Sequence, residues 1–189
     1  MSNSNSTWMP AASRKHCMTN PAGKSTDSKD SIILRTPTAS DGAALWQLVK
    51  ATGELEPNTA YCYLLLATDF ADTCLVAEAA GQIVGAVIGY RPPREPDAAF
   101  VWQVGVLPDY RGLGLGLRML TAWRDLPANR NCRWVTATVA DDNPASQSLF
   151  QRLAHSAGVE CTIKPHFTAE LFPVAHPPEP LHRIGPFSL

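Results

Sequence analysis

Apolar and polar positions follow several distinct rhythms along this 189-residue chain. Two apolar runs, residues 73–79 and 82–90, are separated only by Ala80-Gly81. Strand-prone runs joined by a two-residue turn containing glycine predict an antiparallel hairpin. A shorter run at 31–35 predicts a first strand, which Pro37 ends. Leu45, Leu48 and Val49 then recur at helical spacing, with Ser40 or Asp41 as N-cap and Gly53 as a stop. A second helix is predicted over 60–70. Residues 91–97, with three prolines, read as a loop before a buried strand at 101–106, and another strand follows at 133–139. Asn143-Pro144 opens a helix, because asparagine caps the first turn and proline fits its first position. That helix turns Leu149, Phe150 and Leu153 inward and stops near Gly158. The proline-rich stretch 165–189 still carries apolar and aromatic residues, so a tail packed back onto the domain is expected. Residues 1–30, rich in Ser, Asn, Thr and Lys without an apolar core segment, read as a disordered tail rather than a secretory signal. The remaining 31–189 form one domain.

Composition narrows the class. Hydrophobic residues make up 45% and charged residues 17%, a globular balance, and no apolar run is long enough to span a bilayer. A net charge of −1 argues against a nucleic-acid partner held by phosphate neutralisation. The five cysteines are odd in number and widely spaced, which fits neither a disulfide framework nor a zinc site and points to a reducing cytoplasm. The five histidines are scattered without ligand spacing, so no metal is expected.

The segment after the 101–106 strand carries the chemistry. Arg111-Gly112-Leu113-Gly114-Leu115-Gly116 runs straight into helix-forming residues from Leu117. Glycines let the backbone approach an anion, and the unpaired N–H groups of a first helical turn point at it. The spacing fits neither the dinucleotide fingerprint nor the phosphate loop that ends in Gly-Lys-Ser/Thr. Arg111, Gly114 and Gly116, as Arg-x-x-Gly-x-Gly, resemble the pyrophosphate loop of the GNAT N-acetyltransferases, and the order of predicted elements agrees. The resemblance implies an α/β (α+β) fold: a central mixed, mostly antiparallel twisted sheet with helices on both faces. It implies acetyl-CoA as co-substrate. Its thioester and pantetheine would meet the backbone of Val104 and Val106. Its pyrophosphate would meet Gly112, Leu113, Gly114, Leu115 and Gly116, with Arg111 adding charge and Asn143 contacting CoA or a water.

Longer strings resemble one GNAT family in particular. Leu55–Leu66, Phe70–Cys74, Phe100–Val104, Asn143–Phe150 with Arg152-Leu153, and Arg183–Phe187 look like the L-2,4-diaminobutyrate acetyltransferases of the ectoine pathway. The resemblance implies acetyl transfer to the 4-amino group of that small diamine in a cytoplasmic homodimer. Glu56 stands where the family pattern has Asp, keeping the carboxylate one methylene further out. The resemblance makes Glu56 and Trp102 acceptor-site residues, and gives His176 and Glu179 a role in substrate binding or proton relay. Phe150 occupies a position where many GNAT enzymes carry a tyrosine that protonates the leaving thiolate. Here that proton is expected from water, Tyr61 or Tyr63. Another diamine, a peptide amine, or a CoA-binding domain without catalysis remain as alternatives.

Overall fold

The computed structural model describes residues 31–188, so the expected N-terminal tail lies outside the described residues. Seven strands form one sheet in the order β1-β2-β3-β4-β5-β7-β6. They are β1 (Ile32–Arg35), β2 (Leu75–Ala79), β3 (Gln82–Tyr90), β4 (Ala98–Val106), β5 (Trp134–Thr138), β6 (Glu160–Phe167) and β7 (Glu179–Gly185). Every neighbouring pair is antiparallel except β4 and β5, which run parallel. Helices α1 (Gly42–Thr52) and α2 (Ala60–Leu66) cover one face. Helices α3 (Leu115–Arg124) and α4 (Pro144–Ala157) cover the other.

Each face buries its own core. Leu45, Leu48, Val49, Tyr63 and Leu66 pack on Val76, Ala86 and Ile88. On the opposite face Met119, Leu120, Trp123, Phe150 and Leu153 pack on Leu75, Val87, Val101, Val135 and Ile184. The two sets alternate along the strands, as the two-residue period requires.

Local signals explain most element ends. Gly53 and Gly158 close α1 and α4 at φ 70° and 66°, a left-handed conformation open to glycine. The Asn143 side chain accepts the Ser146 N–H at 3.0 Å, as the N-cap reading requires. Asp41 stands at the N-cap position of α1, as expected, but its side chain makes no cap hydrogen bond to that helix. It closes a 3-10 turn over Ala39–Asp41, accepting the Thr38 N–H at 2.7 Å while bound to Arg35. Helix α2 ends at Leu66, short of the predicted residue 70. There the Thr68 hydroxyl donates to the Leu64 carbonyl at 2.9 Å, and the Asp69 N–H donates to the Leu65 carbonyl at 2.8 Å.

Strands β6 and β7 are absent from the sequence reading. Strand β6 is exposed along almost its whole length, so it carries no alternating pattern to detect. Pro165 falls where the β6–β7 register shifts, between Lys164 and Phe167. In β7, Pro180 has no N–H to give, but its carbonyl accepts the Val139 N–H at 3.1 Å. The residues read as a packed tail therefore place a strand between β5 and β6.

Candidate active site

The site begins with a fault in the sheet. Strands β4 and β5 pair only over Ala98–Phe100 and Trp134–Thr136. Beyond Phe100 they part, leaving the backbone of Val101–Val106 without a ladder on that side. Strand β4 is also bulged at this point. Gln103 pairs with Ile88 and Val101 with Gly89, so Trp102 has no residue opposite it. The extra residue reverses the alternation. Val101 enters the core under α3 and α4, whereas the Gln103 side chain reaches Tyr63 beneath α2.

A cleft of about 400 Å³ opens along the parted strand, lined by Val104, Gly105, Val106 and Gly112, by Leu115 and Gly116, and by Ser146, Leu149 and Arg152. Gly112 and Gly114 take φ of 75° and 74°, and a Cβ on either would meet nothing within 4 Å. Glycine is required there by conformation, not by crowding. Gly114 is the N-cap of α3, a helix of ten residues, and the Arg118 N–H is bound to its carbonyl at 3.1 Å. The N–H groups of Leu115, Gly116 and Leu117 precede the first helical carbonyl they could reach. These free donors, the helix dipole and the Arg152 cation fit a diphosphate.

Arg111 is used differently from the expectation. Its guanidinium donates to the carbonyl of Val106 at 3.1 Å, to Glu54 at 2.8 Å and to the carbonyl of Thr52 at 2.7 Å. It lashes the start of the glycine loop to the end of β4 and the C-terminus of α1. Its charge still borders the cleft, but its donors are occupied by the protein. Asn143 is not among the residues lining the cleft, and its side-chain oxygen serves the α4 cap. Leu113 projects into solvent at the tip of the loop.

The opposite face carries further candidate residues, some on each arm. The Gln103 amide donates to the Glu56 carbonyl at 2.9 Å, which sets Glu56 beside the Trp102 bulge. Both side chains are exposed. From the other arm, the Thr138 hydroxyl donates to Glu179 at 2.6 Å. His176 Nε2 lies 3.9 Å from the other Glu179 oxygen. His176 stacks on Phe172 with centroids 4.0 Å apart, and its Nδ1 is 2.7 Å from the Pro177 carbonyl. That carbonyl can only accept, so Nδ1 carries a proton, and Nε2 faces the Glu179 carboxylate. Thr138 alternates with Val135 and Ala137, which face α4, so Thr138 and Glu179 lie on the α1–α2 face with Glu56.

The two tyrosines separate clearly. Tyr63 is wholly buried, donating to Gln103 Oε1 at 3.1 Å and accepting the Asn58 N–H at 3.3 Å. Tyr61 is 67% exposed. Phe150 is a core residue, its ring 6.3 Å from that of His182. Sequence reasoning missed Gln103, Thr138 and the cleft-lining role of Arg152. The bulge that turns Gln103 inward and the strand that carries Glu179 to Thr138 leave no local pattern.

Comparison with known proteins agrees with this geometry. Residues 43–155 match the acetyltransferase (GNAT) family. The L-2,4-diaminobutyric acid acetyltransferase of Marinococcus halophilus is 42% identical over 162 residues, covering 85% of this chain and 94% of the relative. That of Shouchella clausii is 40% identical over 156 residues, covering 82% and 87%. Among solved structures, the diaminobutyrate acetyltransferase from Paenibacillus lautus, in complex with its substrate L-2,4-diaminobutyric acid and coenzyme A, superposes with a TM-score of 0.80. The two are 40% identical, and the match covers 84% of this chain and 97% of that one. Ard1 from Thermoplasma volcanium, 19% identical with a TM-score of 0.62, shares the fold alone. With a parted β4–β5 pair, a glycine cradle at the head of α3 and relatives 40% and 42% identical over most of both chains, the chain belongs to the L-2,4-diaminobutyric acid acetyltransferases of the GNAT family.

Proposed function

We propose that this chain transfers the acetyl group of acetyl-CoA to the 4-amino group of L-2,4-diaminobutyrate, giving N4-acetyl-L-2,4-diaminobutyrate for ectoine synthesis. The observation that carries the reading is the parting of β4 from β5, with an anion cradle on one face and the Glu56 and Glu179 carboxylates on the other. Acetyl-CoA supplies an activated thioester, and the chain must hold it, position the amine and move protons. The backbone from Gly112 to Gly116 and the first turn of α3 hold the diphosphate, while Arg111 fixes the loop from below. The open edge of Val104–Val106 pairs with the pantetheine amides. Backbone N–H groups on this edge stabilise negative charge as it grows on the acetyl oxygen.

The acceptor carries two ammonium groups and one carboxylate. Glu56 and Glu179 attract the ammonium groups, and the Trp102 ring offers a face to a cation. An alkyl ammonium cannot attack a thioester, so a proton must leave first. His176 Nε2, held between Phe172, Pro177 and Glu179, accepts it, and Glu179 stabilises the imidazolium. Water or the hydroxyl of the exposed Tyr61 returns a proton to the departing thiolate. Thiol release from acetyl-CoA, followed with diaminobutyrate, ornithine, lysine and a peptide amine, tests the reading. The expected order places diaminobutyrate at least tenfold ahead in kcat/KM. Preference for ornithine, lysine or the peptide rejects it.

The proposal includes a cytoplasmic homodimer. Strand β6 is an edge strand on which Ile163 and Phe167 are 52% and 42% exposed, apolar surface that a second copy would cover. No helix among the described residues is long and apolar enough to cross a membrane. Sedimentation equilibrium is expected to give twice the chain mass, and Ile163→Lys to return the monomer. A wild-type monomer at micromolar concentration refutes the dimer.

A further inference from the structure

Residues 54–59 form an irregular segment between α1 and α2, yet their backbone is held from beneath at several points. Leu55 lies directly on Gly105, where an added Cβ would come within 2.8 Å of its Cδ1. The Glu56 carbonyl accepts from Gln103 Nε2 at 2.9 Å. The Asn58 N–H donates to the Tyr63 hydroxyl at 3.3 Å, and the Asn58 carbonyl accepts from Trp46 Nε1 at 3.1 Å. The Tyr63 hydroxyl donates in turn to Gln103 Oε1 at 3.1 Å. One buried amide and one buried hydroxyl therefore hold both ends of the Glu56–Asn58 peptide. The network depends on the bulge at Trp102, since without the extra residue Gln103 would face the core under α3 and α4.

We propose that Gln103 and Tyr63 are positioning residues for the acceptor: through the Glu56 and Asn58 backbone they fix where the Glu56 carboxylate stands relative to Trp102. Neither side chain reaches the substrate, since Gln103 is 7% exposed and Tyr63 is fully buried. A carboxylate on an unheld loop still attracts an ammonium group but samples many positions, and binding then includes the ordering of that loop. Because Glu56 is one methylene longer than the Asp of the family pattern, holding its backbone matters more here. The inference rests on the reading that Glu56 faces the diamine.

The test compares Gln103→Met, Tyr63→Phe, the double variant and Glu56→Gln, measuring both Michaelis constants and the thermal midpoint of each. Gln103→Met and Tyr63→Phe, each of which breaks two bonds of the network, are expected to raise KM for diaminobutyrate about tenfold, with KM for acetyl-CoA within twofold of wild type. The double variant should be no worse than the poorer single one, since the two groups act as one network. Gln103→Glu adds a readout that folding alone would not move. Its buried carboxyl can donate to the Glu56 carbonyl only when protonated, so its KM relative to wild type should recover as pH falls. Both Michaelis constants rising together, or additive effects in the double variant, overturns the proposal. If Glu56→Gln impairs diamine binding while Gln103→Met and Tyr63→Phe leave it unchanged, the positioning role alone fails. If Glu56→Gln changes nothing, the acceptor reading fails and takes this inference with it.

Discussion

Asp41 accepts from Arg35 at 2.7 Å and 2.9 Å and from the Thr38 N–H, and these bonds hold its pKa near 2 instead of the ordinary 3.8. The folded carboxyl is the stronger acid, so its contribution is complete above pH 3.8 and disappears as pH falls toward 2. Urea unfolding of wild type and Asp41→Asn should differ by on the order of 2 kcal/mol at neutral pH, with the gap closing below pH 3. His182 behaves in the same sense at higher pH. It is 1% exposed, its Nδ1 has no hydrogen-bond partner among the described residues, and burial lowers its pKa from 6.5. The folded state prefers the neutral ring, so stability is complete above pH 6.5 and declines as pH drops below it. Melting profiles from pH 7.5 to 5 should fall for wild type and flatten for His182→Leu. At Gly114, whose φ is 74°, Ala should cost about 1 kcal/mol in stability, and KM for acetyl-CoA should rise with it.

Elements were readable where one face was buried and a local residue punctuated the end. The hairpin Ala80-Gly81, the stop at Gly53 and the Asn143-Pro144 start all declare themselves in a few residues. The exposed β6, and a β7 carrying Pro180, do not, because what makes them strands is a neighbour distant in sequence. The bulge at Trp102 was equally invisible, and with it the inward turn of Gln103. The donor loop was legible because positive-φ glycines at a helix start have a local cause. The candidate acceptor residues came through longer resemblance, since Glu56, Trp102 and the His176–Glu179 pair lie in three separate segments. Packing at the bulge yields its own prediction. A Cβ on Gly89 would lie 2.5 Å from the Phe100 carbonyl oxygen and 2.5 Å from Trp123, whereas one on Gly85 would meet the flexible Met119 Sδ at 2.8 Å. Gly89→Ala should therefore destabilise by about 3 kcal/mol and Gly85→Ala by markedly less, as denaturant midpoints will register.

The molecule works because one sheet is continuous at its base and divided at its top. Pairing of Ala98–Phe100 with β5 keeps the two arms together, and in the proposed function their divergence past Phe100 is where donor and acceptor meet from opposite faces. The proposed function assigns helix α3 and the glycine loop to the donor side, and the 54–59 segment with the β5–β7 arm to the acceptor side. Since the attacking amine must be neutral, kcat/KM for the diamine should rise from pH 7 toward pH 9 until the acceptor itself has titrated. The most direct test of the whole account is the position of the new amide. With acetyl-CoA labelled at the acetyl carbonyl and diaminobutyrate as acceptor, NMR of the product should place the label on the 4-nitrogen alone. Acetylation at the 2-nitrogen, or a mixture of the two, would contradict it.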